Sequence, residues 1–485
     1  MQIATLKSGI LQIGHFCCHG LTKYSLSARI YLTLKGGFVM GRKHTEVRNE
    51  ITEGVIWKQL LFFFFPIMLG SLFQQLYNMA DAMIVGNFVG KEALAAVGGT
   101  TSVLINLLVG FFVGVASGAT VVISQFYGAG EDEHVKKSVH TAVMLAIVGG
   151  LILMLAGIIT ARPLLELMQT PEEIMGYSVT YIRIYFLGMV PSAIYNIGTG
   201  ILRAVGDSKR PLYFLMTACL INIILDLLFV VVFKWGVVGA GIATITSQAV
   251  SAVLVCLVLL RSDGSYKVNI REIRFDGQIL PKIIRIGIPA GMQSVMYNAA
   301  NIVVQTSINT FGTNTVAAWT VFEKMDGIFW MVLAAFGVAV TTFVGQNFGA
   351  QKYERVHKSV RVSLAMCMGI AIVLSGVLIL LAGYIFRLFT PDANVVDEGV
   401  FMVRFLMPFY FTYVCTEILS GAIRGMGNAF VPMIITCVGV CVMRIAWIAF
   451  VVPVWHDTRA VMLCFPLTWI ITSVAFIIYY RRIKV

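Results

Sequence analysis

Two aspartates stand where carboxylates are expensive. Asp81 lies in Tyr77-Asn-Met-Ala-Asp-Ala-Met-Ile-Val-Gly86 and Asp226 in Ile221-Asn-Ile-Ile-Leu-Asp226, both inside long apolar runs. A charged side chain at the centre of a membrane-spanning helix costs roughly 2.5 to 3.5 kcal/mol, so its presence points to a function. The first half of the chain sets one intramembrane base, Arg183, against these two acids. That leaves one negative charge, which a bound cation or a proton neutralises most cheaply. Gln74, Asn78 and Asp81 follow spacings of four and three, so they form one polar stripe on a helix, and Asn222 and Asp226 share a face of another. Thr244 returns to the same depth on the next helix. Asp81, Asn222, Asp226 and Thr244 thus bring four oxygen-bearing side chains together, a donor set suited to a hard ion such as Na+ and equally open to a proton.

The second half differs. Its intramembrane charges, Glu323, Lys324, Asp326, Arg404, Glu417 and Arg444, balance without a cation. Glu417 and Arg444 lie about 10 and 22 Å from the same membrane face at 1.5 Å per residue, so Glu323 or Asp326 is the better partner for Arg444. Gln293, Tyr297, Asn301 and Gln305 recur at four-residue spacing and predict a helix face that lines water or substrate, or that bonds neighbouring helices. With Gln74, Asn78 and Glu417 these residues are the expected wall of a substrate cavity. Pro66 interrupts the helix that carries Asp81 and removes a backbone hydrogen bond there, making it a candidate hinge.

Such residues need helices that cross a bilayer, and the chain supplies them. Of its 485 residues, 58% are apolar and 12% charged, with a mean hydropathy of +0.85, against about 25% charged in soluble domains. Twelve spans are predicted near 59–88, 94–126, 138–161, 175–201, 211–233, 237–260, 284–310, 315–347, 359–387, 398–422, 429–453 and 459–480. The connections on one side, with both ends of the spanning region, carry 23 Lys and Arg; those on the other side carry 5. The positive-inside rule therefore places both termini of a multi-pass membrane protein in the cytoplasm, and it accounts for the net charge of +12 without nucleic acid. The nine cysteines show no metal or disulfide spacing and read as small core side chains. His140 reads as solvated or satisfied. There is no phosphate-binding G-x-x-x-x-G-K-[ST] loop and no nucleophile-base-acid set, so the energy source is an ion gradient, with no cofactor beyond Na+ or H+.

The chain repeats itself. Ser124-Gln-Phe-Tyr-Gly-Ala-Gly-Glu-Asp-Glu-His-Val-Lys-Lys-Ser-Val139 lies over Gly345-Gln-Asn-Phe-Gly-Ala-Gln-Lys-Tyr-Glu-Arg-Val-His-Lys-Ser-Val360 at an offset of 221, which also pairs Arg203, Gly206 and Pro211 with Arg424, Gly427 and Pro432. Six is even, so both halves enter the membrane from the same side and are related by a pseudo-two-fold axis along its normal. The predicted fold is all-α and membrane-integral, twelve transmembrane helices in two pseudo-symmetric six-helix bundles. Its expected parts are a cytoplasmic segment at 1–56, bundles at 57–262 and 284–485, and a linker at 263–283. Residues 1–39 contain no span, and Met40-Gly-Arg-Lys43 resembles a chain start.

From about residue 57 to 482 the chain resembles the multidrug and toxic compound extrusion (MATE) transporters. The resemblance is carried by Pro66 with the 77–86 motif, the Gln-x-x-Gly-Ala turns at 125 and 346, Leu202-Arg-Ala-Val-Gly-Asp207 and Ile423-Arg-Gly-Met-Gly-Asn428. It implies two six-helix bundles around a central cavity, acting as a monomer in membrane lipid, that exchange small organic cations for sodium ions or protons. It also implies that the cation site of the first half falls on Asp81, Asn222, Asp226 and Thr244, the set the charge count reached. Another branch of the family places an acid midway along span 7, where this chain has Tyr297 and Asn298, and Glu417 lies about one turn from that branch's acid on span 10, which argues against a coupling site in the second half. The alternative cargo is a lipid-linked sugar or another anionic amphiphile, moved by a flippase. That reading calls for several unpaired basic residues within the spans. An intramembrane enzyme would have only Asp81 and Asp226 as a catalytic pair.

Overall fold

The computed structural model describes residues 50–483, the side chains of Glu50 and Thr100 excepted, and the regular structure among them is helical. The expectations for residues 1–49, a non-spanning tail and a start at Met40, lie outside the described residues. Among the described residues, nine helices are long and apolar enough to cross a bilayer, and two bent pairs supply one span each. The twelfth span is the seventh in order, the 30-residue helix Ile279–Ile308, whose polar series from Gln293 to Gln305 lowers its hydropathy. At 1.5 Å per residue it is about 45 Å long, ample for a hydrocarbon core. The twelve-span, all-α architecture is as predicted.

Several spans are less regular than hydropathy suggests. Span 1, Ile56–Phe88, continues as helix through Pro66. Span 2 begins with a short helix, Lys91–Gly98, and resumes after Gly99 as Thr100–Ala129. Span 4 breaks at Gly188 into Glu172–Leu187 and Met189–Ala204, bent by 50°, with Pro191 in the first turn of the second piece. Span 10 breaks likewise, by 51°, where Pro408 lies in the 3-10 turn Met407–Phe409. Proline is tolerated in a first turn because the amide it lacks would be unpaired there. Spans 5 and 11 each contain a six-residue π-helical stretch, Leu227–Val232 directly after Asp226 and Cys437–Val442 two residues before Arg444. Such stretches often mark functional positions. The linker is shorter than expected, because the Asp276 carboxylate accepts the Gln278 and Ile279 backbone N–H groups at 2.9 and 3.1 Å and starts span 7 at Ile279. Those hydrogen bonds hold its carboxyl below the usual range.

The halves meet mainly through span 2 of the first against spans 7 and 8 of the second. Glycine makes this possible. A Cβ on Gly114 would fall on the backbone of Gly291, and one on Gly128 on that of Gln346. Phe64 stacks on Phe336 with ring centroids 4.1 Å apart. At the end of the molecule that carries the basic loops, Gln125 Nε2 donates to the Gly425 carbonyl at 2.8 Å, and Gln346 Nε2 donates to the Ala204 carbonyl at 2.6 Å. These bonds exchange under the repeat, since each glutamine satisfies the last carbonyl of the opposite half's helix. Arg355 adds contacts to the Ile51 and Gly54 carbonyls at 3.0 and 2.5 Å. Gly206 and Gly427, two residues past those helix ends, have φ of +96° and +94°, a left-handed turn that glycine adopts without strain.

Candidate functional site

Spans 1, 5 and 6 pack together in the first half and carry the predicted cluster. Asp81, Asn222, Asp226 and Thr244 are all buried. Thr244 donates its hydroxyl to the Ala240 carbonyl at 3.0 Å, so its oxygen turns to other groups as an acceptor. Both carboxylate oxygens of Asp226, Oδ1 of Asp81 and both amide atoms of Asn222 have no hydrogen-bond partner among the described residues. Asp81 and Asp226 lie within electrostatic reach of each other. Two carboxylates, an amide and a hydroxyl in a dry environment strongly favour a bound positive charge. Arg183, counted as their counter-charge, is exposed on its helix and bonds neither oxygen of Asp226. Sequence periodicity does not reveal which way a lone arginine turns, and the deficit at the cluster is larger than the charge count suggested. Gln74 and Asn78, lower on the span 1 stripe, are exposed. Amide side chains within an apolar span are costly against lipid, so exposed amides here suit contact with water.

The second half uses its polar residues differently. Gln293 accepts from Arg424 Nη2 at 3.0 Å and donates to Thr436 Oγ1 at 3.1 Å. Tyr297 shares a hydroxyl hydrogen bond with Tyr413, and Asn301 accepts from Arg444 Nη1 at 3.2 Å. Gln293, Tyr297 and the exposed Asn301 thus join span 7 to spans 10 and 11, whereas Gln305 bonds Asn309 at the end of its own helix. Glu417 is half-buried against Gly337 and within electrostatic reach of Arg424. Asp326, within reach of Arg444, accepts from Tyr410 and Trp330 at 2.5 and 2.7 Å. Glu323, Lys324 and Arg404 are exposed. Each interior acid of the second half has a base nearby, as the balanced count anticipated, though Arg424 takes the place of the exposed bases.

Residues 66–228 and 289–449 each match the family model MatE. The chain belongs to the MatE family. Among its MATE relatives, the probable multidrug resistance protein YoeA of Bacillus subtilis is 29% identical over 403 residues, covering 80% of this chain and 86% of that protein. The probable multidrug resistance protein NorM of Thermotoga maritima is 26% identical, covering 83% and 87%. A solved structure described as the outward-facing conformation of a multidrug resistance MATE family transporter matches with a TM-score of 0.84 at 22% identity, over 90% of this chain and 98% of that one. The protein is thus a multi-pass membrane transporter of the MATE family and not an enzyme.

Two features of this MATE chain escaped the sequence. Tyr77 and Tyr181 bring hydroxyls into the electrostatic neighbourhood of Asp81, and tyrosines in apolar helices are too common to single out. Gln125 and Gln346 were visible as repeat-related residues, but their exchange across the halves depends on the crossing geometry. His140 is satisfied, as expected: Nε2 accepts the Asn269 backbone N–H at 2.9 Å, so Nδ1 carries the proton bonded to the Lys136 carbonyl at 2.6 Å. Beside it, Thr141 accepts the Asp276 N–H at 3.1 Å, so two consecutive residues of span 3 hold the linker.

Proposed function

We propose that this transporter exports small organic cations in exchange for Na+ or H+, with Asp81, Asn222, Asp226 and Thr244 as the coupling site. The observation that carries the reading is the convergence of two buried carboxylates, three of whose oxygens lack a hydrogen-bond partner and neither of which has a base within electrostatic reach among the described residues. An ion that neutralises this cluster changes the relative stability of conformations that bury or open it, which is what exchange requires. The donor set fits sodium through its oxygens and a proton through either carboxylate. The printed names of the relatives support drug-like cargo, and the exposed Gln74 and Asn78 suit a site that admits water and cargo together. The excess of basic residues at one end supports a cytoplasmic location for that end and for both termini. On this assignment the glutamine exchange closes the cytoplasmic side, and cargo leaves through the far side.

The test is efflux of a charged dye from whole cells with the sodium and proton gradients collapsed separately, for the native chain and for Asp226→Asn. Export that depends on one gradient, and that fails in the variant, supports the reading. Gradient dependence unchanged in Asp226→Asn would place coupling elsewhere.

A further inference from the structure

The repeat gives every residue of the coupling cluster a counterpart. Pro66, Ser71, Asn78 and Phe88 align with Pro289, Ser294, Asn301 and Phe311, which sets Asp81 opposite Val304. In spans 5, 6, 11 and 12 the offset of 221 holds from Pro211 and Pro432 through Arg261 and Arg482, so Asn222, Asp226 and Thr244 stand opposite Met443, Trp447 and Phe465. All four oxygen donors are replaced by carbon or sulfur surfaces or an indole. Such a surface has no affinity for a hard cation.

The place nevertheless holds a positive charge. Arg444, next to Met443, is 3% exposed. Its guanidinium carbon lies 4.3 Å from the ring centroid of Phe465, the counterpart of Thr244, and its Nη1 donates to Asn301, the counterpart of Asn78. Its Nε has no hydrogen-bond partner among the described residues. Asp326 supplies a carboxylate within electrostatic reach, already held by Tyr410 and Trp330. A guanidinium does not release its proton in a protein, so this charge is permanent. It rests on an aromatic face, a favourable seat for a cation.

We propose that Arg444 is a tethered cation that occupies, in the second half, the place the coupling ion visits in the first, and that it confines ion coupling and cationic cargo to the first half. The inference rests on the coupling site proposed above. With a fixed charge in place, the second half neither gains nor loses a cation during the cycle, and a free cation entering it meets repulsion. Loading and unloading of one half then drives the exchange.

The experiment uses the purified full chain in liposomes, with tetraphenylphosphonium as the cationic probe. Arg444→Met removes the charge at similar length, and Arg444→Lys retains it. In Arg444→Met, with Asp326 left uncompensated, we expect more coupling ions moved per probe and at least about tenfold tighter probe binding in the Asp226→Asn background, a shift of about 1.4 kcal/mol. Arg444→Lys should behave as the native chain. A folded Arg444→Met with native stoichiometry and no gain of probe binding overturns the inference, as does Arg444→Lys behaving like Arg444→Met. If Arg444→Met does not fold, the native chain decides: sodium binding and proton release must together count one coupling-ion site per molecule, and two sites overturn the inference. Native ion dependence in Asp226→Asn alone would instead refute the coupling site on which it rests, whereas loss in Asp226→Asn without gain in the double variant refutes only the tethered cation.

Discussion

The two halves are nearly interchangeable at their basic end and opposite in character at their centre. At the basic end Gln125 and Gln346, and Gly128 and Gly349, make the same contacts in exchanged form, and Gly206 and Gly427 make the same left-handed turn. At the centre, Asp81 and Asp226 have no base within electrostatic reach among the described residues, while Asp326 and Glu417 have Arg444 and Arg424. Residues that shape the backbone constrain both copies of a duplicated bundle, because each must make the same crossing with the other. Charge at the centre is free of that requirement, so one copy can titrate or bind an ion while the other stays fixed.

The largest effect that bears on this difference is expected in the first half. Asp81→Asn and Asp226→Asn should each reduce coupled export by roughly 100-fold, in keeping with about 3 kcal/mol for removing one partner of a buried charged site. Insertion and melting temperature should be preserved, since an amide relieves charge repulsion between the two acids. Export assays paired with thermal melting of the purified variants check both parts, and native export in either variant would remove the asymmetry.

Next come the shared crossings. A Cβ at Gly128 would strike the backbone of Gln346, and one at Gly349 that of Gln125. Gly128→Ala and Gly349→Ala should each destabilise the assembled halves by about 1 to 3 kcal/mol, the usual cost of overpacking, seen as similar losses in melting temperature. A loss in one variant only would show that the symmetry is confined to sequence. Gln125→Leu and Gln346→Leu each remove one cross-half hydrogen bond, worth about 1 kcal/mol. Each should raise labelling of a cysteine placed at the buried Ser124 by a few-fold, as the basic end opens more often. Equal labelling in the native chain would mean that these bonds do not hold the halves closed.

Much of this was legible in the sequence because it rests on composition and repetition. Lipid leaves few choices of backbone, so apolar length predicts spans, and the 221-residue repeat predicts their arrangement. The cluster in the first half was legible because uncompensated charge in an apolar run is rare. Direction was not. The span 7 series was predicted as a polar face, but its bonding to Arg424, Tyr413 and Arg444 depends on the rotation of that helix, and the same spacing suits a cavity wall. The bends at Gly188 and Tyr410 were hidden because a proline inside an apolar run leaves hydropathy almost unchanged.

These contacts change what substitutions on span 7 should do. Gln293→Leu leaves Arg424 without its amide acceptor, and Asn301→Leu does the same to Arg444. Both should lower stability by about 1 to 3 kcal/mol, the cost of an orphaned buried donor. Export per folded molecule should fall less than in the aspartate variants. A specific loss of one substrate with unchanged melting would instead make this face a cargo wall.

The smallest effect is expected at Glu417. Its counterpart under the repeat is Asn196, an amide, so the fold already accommodates a neutral side chain of related shape at that place. The carboxylate lies against Gly337, and it shares Arg424 with Gln293, whose hydrogen bond to that guanidinium at 3.0 Å does not depend on it. Glu417→Gln therefore removes a charge attraction while leaving the arginine bonded and the volume unchanged, a loss of about 1 kcal/mol and less than about tenfold in export rate. Efflux rates for a charged dye, measured beside Asp226→Asn at equal protein level, decide the matter. A loss as large as that of Asp226→Asn would make Glu417 a coupling group, and the second half would then move charge as the first does, ending the division of labour between them.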